Sequence, residues 1–578
     1  MTDCSKKLED RILAGDDING GEAVLLSFME EGVETMFGYP GGAIMPLYDS
    51  LHQSEDCFRH ILTRHEQGAI HAAQGYARVT GRTGVCLATS GPGATNILTG
   101  IADAFLDSTP MVCITGQVVD NLVGTDAFQE TDILTISMAV TKWNARVSKA
   151  EDLPAVMAKA FYIANAGRPG PVLIDITKNV FAEKLKFRYA KCHSLQTYMP
   201  IVQPDIEQVI KAADWINTAK RPMVLFGQGI ILSKSSEELR QFVERTGVPA
   251  AATLLGLSAL PDDHPLFMGM LGMHGNYAAN LKTGDADLVL AIGMRFDDRV
   301  TGEVSTYLKQ ARIIHVDIDP TELDKNMETE LEIQADAKEF LKSLIPLVRE
   351  NKHEEWVNSF QELATQEQNA VINDDLHPVS GRITMGEAIN EVGKIVNPDT
   401  IVITDVGQHQ MKVARYFPFK TARTLVTSGG LGTMGFGLPA AMGAQLGHPD
   451  RTVVAFIGDG GMQMTMQELV TIAHEKLPVK IFVLNNGFLG MVRQWQELFF
   501  DGRYASTTLP GPDFVKLAEA CGMNGMRITE RESLADQMKE AISFDGPLLV
   551  DVVVEKEENV FPMVPPGAAV TDMILSGK

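Results

Sequence analysis

The sequence lacks an apolar run that could cross a membrane, since none approaches the ~18 residues that such a helix needs. It also lacks any run rich in lysine and arginine, and its formal net charge is −24. Nucleic acid and anionic membranes are therefore not expected partners, and an anionic substrate must be met by local cations. The first 17 residues carry several acids and no apolar core, unlike a signal or transit peptide, so we expect a cytoplasmic protein.

Cysteine is scarce, with six residues and no CxxC or CxH spacing that would indicate zinc. Cys86 and Cys113 lie within apolar, strand-like runs, which indicates small core side chains of a reducing compartment. We therefore expect neither zinc nor disulfide bonds. The six positions are Cys4, Cys57, Cys86, Cys113, Cys192 and Cys521.

The remaining composition is typical of a soluble globular protein, with 45% hydrophobic and 21% charged residues over 578 positions. That length is too great for a single core. Helices and short buried strands alternate, which predicts an α/β fold with doubly wound parallel sheets. We predict three such domains at 19–185, 204–350 and 381–554, an exposed helical linker at 351–380 and a C-terminal tail at 555–578.

The stretch 452–490 carries the strongest functional signal. Two apolar runs, Val453 to Ile457 and Val479 to Leu484, predict buried parallel strands joined by a helix. The first strand leads to Asp459, between two glycines, and the second leads to Asn486, so both side chains should emerge at one edge of the sheet. Carboxylate and amide oxygens suit Mg²⁺ that shares its coordination shell with a diphosphate.

The spacing between these two residues adds specificity. Asn486 follows Asp459 by 27 positions, and GDG followed by NN at that distance resembles the diphosphate-anchoring motif of thiamine-diphosphate enzymes. Taken alone, GDG is more simply interpreted as a plain turn, and NN as a plain loop.

Glu66 begins a predicted helix in the context RHEQGA. Taken alone, it is a first-turn acid favoured by the helix dipole. Beside a metal-diphosphate site, it becomes the candidate for the buried carboxyl that thiamine chemistry needs to hydrogen-bond the aminopyrimidine N1′, and RHEQGA resembles that element of the superfamily. The glycine turn at 91–93 is either a phosphate-binding nest or a point of close packing between strand and helix.

Three strand ends of the middle domain offer glycine or a charged side chain. They carry Gly227 with Gly229, Arg295, and Asp317 with Asp319. Together with the glycine-rich stretch 269–280, they indicate an extended, adenine-bearing ligand. A redox function of the NAD type fits this pattern alone, but no catalytic pair accompanies it.

A strand of the third domain delivers four residues to its end: Val406, Gly407, Gln408 and His409. The glycines at 430, 432 and 435 then satisfy GxGxxG. We reject a dinucleotide site there because the next acid at a strand end lies 29 positions after the first glycine rather than ~20. We expect these glycines to let a ring approach closely, with Met434 as an apolar support.

Ten short motifs, in order along almost the whole chain, closely resemble the catalytic large subunits of acetohydroxyacid synthases, also called acetolactate synthases. They are YPGGA, RHEQGA, ATSGPGATN, GTDAFQE, GRPGPVL, RFDDRVTG, GGLGTMG, GDG with LNN, GMVRQWQ and FPMVPPGA. The resemblance implies a pyrimidine-binding first domain, a central FAD-binding domain and a diphosphate-binding third domain. It also implies thiamine diphosphate, Mg²⁺ and a structural, non-redox FAD.

The same resemblance implies a homodimer or tetramer, with sites between the first domain of one chain and the third domain of another. Whether a small regulatory subunit binds, and whether valine inhibits the enzyme, stay open. The reaction implied is the first common step of valine, leucine and isoleucine biosynthesis. Pyruvate loses CO₂, and the hydroxyethyl unit adds to pyruvate or 2-oxobutyrate, giving 2-acetolactate or 2-aceto-2-hydroxybutyrate.

The resemblance further assigns roles to individual residues. Asp459, Asn486 and the backbone carbonyl of Phe488 would hold Mg²⁺, while Glu66 would activate the thiamine and Met434 would support its bent conformation. Other thiamine contacts would come from Val406, Gly407, Gln408, His409, Gly458, Gly460 and Met491. FAD would lie against Arg168, Gly227, Gly229, His274, Gly275, Arg295, Asp317 and Asp336.

The implied substrate pocket would contain Phe128, Gln129, Lys178, Arg299, Met491 and Trp495. Arg299 would clamp the acceptor carboxylate, and Trp495 would fill the space beside its alkyl chain. Gln129 would join these two and Glu66 as a catalytic residue. Taken alone, Arg168 and Lys178 are each more simply solvated surface cations.

The rivals in the same superfamily are a flavin-dependent pyruvate oxidase and a flavin-free catabolic acetolactate synthase. The motif RFDDRVTG and the acceptor pocket argue against both. Glyoxylate carboligase lacks the carboxylate found here at Glu66, and a catalytically silent binding or assembly subunit would have no need of it. Val119 and Asn121 stand where many relatives carry proline and arginine, so inhibitor sensitivity stays open.

Overall fold

Alternating buried strands and helices build three parallel sheets of six strands each, as predicted for the fold class. The computed structural model describes residues 17–54 and 56–577. In spatial order the first sheet contains Arg59–Leu62, Thr35–Gly38, Gly84–Ala88, Met111–Gln117, Pro171–Thr177 and Trp143–Val147. The second contains Phe267–Met270, Ala250–Ala252, Pro222–Phe226, Leu288–Ile292, Arg312–Asp317 and Leu331–Gln334. The third contains Leu425–Val426, Ile401–Thr404, Val453–Gly458, Lys480–Asn485, Leu548–Val553 and Asn524–Ile528.

Helices cover the faces of these sheets, as the crossovers between parallel strands require. The first domain has Gly20–Glu30, Met45–His52, Glu66–Thr80, Pro92–Asn96, Leu98–Leu106, Ile133–Ser137, Leu153–Asn165 and Lys178–Ala182. The middle domain has Ile206–Thr218, Gln228–Leu232, Ser236–Thr246, Tyr277–Asp285, Asp298–Thr301 and Ala337–Leu344. The third has Met385–Ile395, Gln408–Tyr416, Gly437–Gly447, Asp459–Thr465, Glu468–His474, Gly490–Phe499, Phe514–Ala520 and Leu534–Ser543. A short antiparallel pair, Ile18–Asn19 with Lys184–Leu185, joins the two ends of the first domain.

Five of these elements recur below and are labelled here. The helices are α1 (Glu66–Thr80), α2 (Gln408–Tyr416) and α3 (Gly437–Gly447), and the strands are β1 (Val453–Gly458) and β2 (Lys480–Asn485). Both β1 and β2 follow the apolar runs predicted as strands, and they pair in parallel. The single helix predicted between them is in fact two helices, Asp459–Thr465 and Glu468–His474.

The first and third domains share one hydrophobic core, centred on α1 and α3. Their small side chains let the two helix backbones touch: a Cβ added at Gly443 would lie 1.8 Å from the Ala72 carbonyl oxygen, and one at Gly75 would lie 2.1 Å from that of Ala440. These glycines are therefore required by a close approach of two backbones. The packing fixes the third sheet relative to the first.

The segment 351–380 is helical and most of its residues are exposed, but a few side chains on one face are buried. Its helices are Glu354–Asn358, Gln361–Glu367 and Asn373–Leu376, with a π-helical stretch at Gln368–Ile372. Trp356 and Phe360, one helical turn apart, pack into a cluster of the middle domain, and the Trp356 indole N–H donates to the Pro222 carbonyl at 2.9 Å. Charged residues surround these two side chains, so composition alone does not reveal the apolar face that they form.

Two further predictions concern disulfide bonds and membrane-spanning helices. Cys57 is disulfide-bonded, so the expectation of no disulfide is wrong there; Cys86, Cys113, Cys192 and Cys521 are free. Cys4 and the rest of the stretch 1–16 lie outside the described residues. Within 17–54 and 56–577, no helix has the length and apolar character that crossing a membrane requires.

Candidate active site

Two short polar side chains meet at the carboxyl edge of the third sheet. Gly458 at the end of β1 pairs with Leu484 of β2, so Asp459 and Asn486 follow neighbouring strand ends. Asp459 is 2% exposed and Asn486 is 5% exposed. The Gly487 amide donates to Asp459 Oδ2 at 2.8 Å, and the Gly460 amide donates to Oδ1 at 2.9 Å. The backbone of the two loops thus holds the carboxylate in place.

The donor set fits Mg²⁺ bound together with a diphosphate. Asn486 Oδ1 accepts one hydrogen bond, from the Phe488 amide at 3.0 Å, and keeps a second lone pair. Burial raises the pKa of Asp459 to about 6, so a bound cation would offset the cost of burying the charged carboxylate. The described residues contain no cluster of three or more His, Cys, Asp or Glu side chains that could hold a metal. A mixed set of one carboxylate, one amide and a backbone carbonyl suits a magnesium ion that takes its remaining ligands from a substrate phosphate.

The start of α2 lies beside this edge. His409 is buried, burial lowers its pKa to about 4, and its Nε2 accepts from the Gly458 amide at 3.3 Å. Its neutral ring therefore links α2 to the end of β1. Gln408 donates through Nε2 to Gln494 Oε1 at 3.0 Å and to the Glu558 carbonyl at 2.8 Å. Gln408 Oε1 is buried and has no partner among the described residues, so it is a candidate acceptor for a ligand.

Met434 lies against the glycine turn that follows β1. A Cβ at Gly460 would be 3.3 Å from Met434 Cε and 3.1 Å from Leu489 Cδ2, so apolar side chains cover the turn. Asp405, which sequence reasoning missed, accepts from the Gly435 amide at 3.0 Å and the Gly437 amide at 2.8 Å. It fixes the loop that carries Met434, and its position at a strand end was the available signal.

Glu66 lies at the first position of α1, half-buried and within a second polar cluster. Asn96 Nδ2 donates to Glu66 Oε2 at 2.9 Å, and a Cβ at Gly93 would lie 3.3 Å from Oε1. Gln129 adopts a left-handed backbone, with φ of 60°, and its carbonyl oxygen would be 2.8 Å from a Cβ at Gly91. The glycine at 91 is therefore required by the approach of the Gln129 backbone. Glu66, the glycine turn and Gln129 therefore lie together in one cluster.

A cavity of about 860 Å³ opens between all three domains. It brings together eleven of the predicted site residues. They are Arg168, Gly229, His274, Arg295, Arg299, Asp317, Asp336, Val406, Gly407, Met491 and Trp495. Gly227 and Gly275 are chain neighbours of lining residues. The cavity also contains a stretch that the site prediction omitted, Ser428–Leu431, although its glycines were visible in the sequence.

The polar groups of this cavity fit an extended ligand that offers both donors and acceptors. His274 is 6% exposed, its Nδ1 has no described partner, and burial lowers its pKa to about 4. Burial also raises the pKa of Asp317 to about 7. A buried polar atom without a partner is rare and indicates a missing ligand. Arg168 is less available, because its guanidinium pairs with Asp319 at 3.2 Å and Glu322 at 2.7 Å.

Several predicted residues do not reach the cavity within one chain. Phe128 is 89% exposed, and Gln129 and Lys178 are also exposed. Among the described residues, these three and Glu66 do not line the cavity, and neither do Gln408, His409, Met434, Asp459 and Asn486. Arg299 lines it with a largely exposed side chain, and Trp495 contacts Phe499 edge to face at 5.7 Å.

Comparison with known proteins identifies these domains. Residues 18–136 match the N-terminal TPP binding domain of thiamine pyrophosphate enzymes, 209–344 match their central domain, and 405–552 match their C-terminal TPP binding domain. The acetolactate synthase large subunit of Corynebacterium glutamicum is 46% identical over 97% of this chain and 91% of its own length.

Two further relatives agree along almost their full length. The acetolactate synthase large subunit of Haemophilus influenzae is 44% identical over 97% of this chain and 98% of its own. The acetolactate synthase isozyme 2 large subunit of Escherichia coli is 44% identical over 96% of this chain and 99% of its own. The chain therefore belongs to the acetolactate synthase large-subunit family of thiamine pyrophosphate enzymes.

Proposed function

We propose that this chain condenses pyruvate, after loss of CO₂, with a second 2-oxoacid in branched-chain amino-acid biosynthesis. The products are 2-acetolactate from pyruvate and 2-aceto-2-hydroxybutyrate from 2-oxobutyrate. The observation that carries this proposal is the similarity to acetolactate synthase large subunits over 96–97% of the chain, at 44–46% identity.

Three cofactors are part of the proposal. Thiamine diphosphate is supported by the two matched TPP binding domains, and when bound it supplies an electron sink for the loss of CO₂. Asp459, Asn486 and the Phe488 carbonyl would hold Mg²⁺. FAD would occupy the large cavity in a structural, non-redox role, with His274 Nδ1 and the Asp317 carboxyl as partners.

The chain's own residues supply proton control. Glu66 would hydrogen-bond the pyrimidine and hold a proton at its carboxyl group. His409, which burial keeps neutral, accepts a hydrogen bond and adds no positive charge at the strand end. Met434 would support the bound ring through apolar contact.

Acceptor recognition would depend on a cation and an aromatic side chain at the cavity. Arg299 would bind the carboxylate of the second 2-oxoacid through two parallel hydrogen bonds, a geometry that lysine cannot copy. Trp495 and Met491 would bound the space for its alkyl group. Discriminating one methyl group in this way provides only ~1–3 kcal/mol, so the preference between acceptors is graded.

A second chain would complete each site. The cluster of Glu66 and Gln129, with exposed Phe128 and Lys178, lies outside the cavity of its own chain, and an apolar side chain that is 89% exposed is typical of an interface. We infer a homodimer, or a tetramer built from such dimers, with a small regulatory subunit as a further partner. The relatives are named large subunits, which supports that partner.

The decisive experiment supplies the purified chain with pyruvate, 2-oxobutyrate, thiamine diphosphate, Mg²⁺ and FAD, and quantifies both products with and without a candidate regulatory subunit. Formation of both acetohydroxyacids, dependent on thiamine diphosphate, is expected. Acetate formation with bleaching of the flavin by pyruvate under anaerobic conditions would instead assign a pyruvate oxidase.

A further inference from the structure

A buried ion pair joins the segment between the middle and third domains to the last turn of α2. The side chains of Arg415 and Glu367 form this pair, and they are only 1% and 3% exposed. Glu367 ends the helix Gln361–Glu367, within the stretch that the sequence indicated as an exposed linker. Burying two charges is costly, so such a pair is stable only where further hydrogen bonds satisfy both groups.

The further side-chain hydrogen bonds of this pair go to one loop of the middle domain, while Arg415 Nε is buried and has no described partner. Arg415 Nη1 donates to the carbonyls of His274 at 3.2 Å and Gly275 at 3.0 Å. Glu367 Oε2 accepts from the Tyr277 amide at 2.8 Å. The residues 274–277, called here the cavity loop, are thus held by a cation at their start and by its carboxylate partner at their end.

The cavity loop carries a residue of the cavity wall, His274, that has a buried ring nitrogen without a described hydrogen-bond partner. His274 lines the cavity and is 6% exposed, and its Nδ1 has no described partner. A turn fixes the loop internally, since the Gly275 amide donates to the Gly272 carbonyl at 2.8 Å and Asn276 Oδ1 accepts from the Met270 amide at 2.8 Å. Neither Arg415 nor Glu367 lines the cavity, so both act on it only through the loop.

We propose that Arg415 and Glu367 are positioning residues for the adenine-bearing cofactor: they hold the backbone of 274–277 so that His274 meets the ligand in one fixed arrangement. The inference rests on the proposed use of FAD. Because α2 begins at Gln408 and His409, the same helix carries the cofactor edge of the third domain at one end and this pair at the other. The segment 351–380 then supports the flavin site and does not merely connect two domains.

The test compares FAD affinity with turnover in two variants. Arg415→Met combined with Glu367→Gln removes both charges, so no buried ion is left unpaired, while the glutamine retains an acceptor for Tyr277. We expect the dissociation constant for FAD, measured by flavin fluorescence on apo-protein, to rise at least about tenfold, because two hydrogen bonds to the loop are lost. The rate at saturating FAD should stay within about twofold of the wild type. Arg415→Lys, which keeps the charge but not the two-pronged geometry, should lie in between.

Arg240→Met is the control, since it breaks exposed pairs with Glu237 and Glu244 on a helix of the middle domain and should leave FAD affinity unchanged. A double variant that melts like the wild type but binds FAD with unchanged affinity overturns the inference. If the double variant does not fold, Arg415→Lys gives the comparison, because it keeps the charge of the pair but loses the two-pronged contact with the carbonyls of His274 and Gly275. A wild-type chain that forms acetolactate yet binds no FAD overturns the cofactor proposal and the inference with it. A wild-type chain that binds FAD but forms no acetolactate overturns the proposed reaction alone.

Discussion

Asp459 and Asn486 illustrate how single residues are positioned in this chain. Each directly follows a strand whose residues are all or nearly all buried, so its backbone position is set by the sheet. The side chains are short and the Gly487 amide holds the carboxylate, so little conformational entropy remains to be lost on binding. The proposed role of these two residues therefore depends on rigid strand ends, and we expect a substitution at either one to change only its immediate surroundings.

Glu66→Gln tests the proton-control role directly. The amide retains the shape and the Asn96 contact but can no longer hold the proton as a carboxyl group does. We expect exchange of the thiamine C2 proton, followed by NMR after rapid quench, to slow by about 10² or more. Glu34→Gln, at an exposed carboxylate paired with Arg82, is the control and should leave exchange unchanged. Normal exchange in Glu66→Gln would remove Glu66 from the mechanism.

Trp495→Leu tests acceptor selection. The smaller side chain leaves the alkyl group of 2-oxobutyrate with less contact, and one methyl group contributes ~1–3 kcal/mol. We expect the product ratio in competition between pyruvate and 2-oxobutyrate to shift about tenfold towards 2-acetolactate, with turnover retained. Phe499→Leu removes the ring partner of Trp495 without changing the cavity lining and is the matched control. An unchanged ratio in Trp495→Leu would contradict its role.

Helices and strands form the next scale, and here the sequence predicts much but not all. The strands β1 and β2 were predictable because an apolar run between glycine or asparagine turns is a local signal. The burial of Trp356 and Phe360 was not predictable. The charged residues around them obscure the apolar periodicity, and the surface that covers them comes from a distant part of the chain. For the same reason the sequence indicated Glu66 and Asp459 separately but could not show that neither of them lines the large cavity of one chain.

Gly443→Ala tests the packing of α1 on α3. The added Cβ would lie 1.8 Å from the Ala72 carbonyl oxygen, so two helix backbones must separate. We expect the free energy of unfolding to fall by about 3 kcal/mol or more, measured by urea denaturation. Gly284→Ala is a control within a helix where the nearest atom is 3.7 Å away, and it should be neutral or stabilising by up to about 1 kcal/mol. Equal effects at both positions would show that α1 and α3 can separate easily.

His71 predicts a pH dependence at the same interface. It is fully buried on α1, contacts Phe436 edge to face at 5.4 Å, and has its pKa lowered to about 3 by burial and, secondarily, by Arg78. The unfolded state therefore binds a proton below pH 6.5 that the folded state does not, so this residue costs stability as the pH falls. Relative to His71→Gln, the wild type should lose about 1.3 kcal/mol of unfolding free energy between pH 7 and pH 5.5. Parallel pH profiles would contradict a neutral, buried His71.

At the scale of the whole molecule, three domains contribute to one cavity while part of the predicted site faces outward. The cavity takes Arg168 from the first domain, His274 from the middle domain and Trp495 from the third. Glu66 and Gln129 belong to the first domain but lie outside that cavity. Under the proposed roles, such a chain would carry two incomplete halves of a catalytic site, and a twofold pairing would join each half to its complement.

Mixed dimers test that arrangement. A chain with Glu66→Gln and a differently tagged chain with Asp459→Asn are co-expressed, and the heterodimer is isolated through both tags. If each site takes Glu66 from one chain and Asp459 from the other, one site of the heterodimer carries both substitutions and the other site carries none. The heterodimer should then show about half of wild-type activity. Each variant alone should be inactive. The control pairs Asp459→Asn with Asn486→Ala, which damages the third domain of both chains and should give no activity. A silent Glu66→Gln/Asp459→Asn heterodimer would mean that each site is built within one chain, and the exposed Phe128 would then need another explanation.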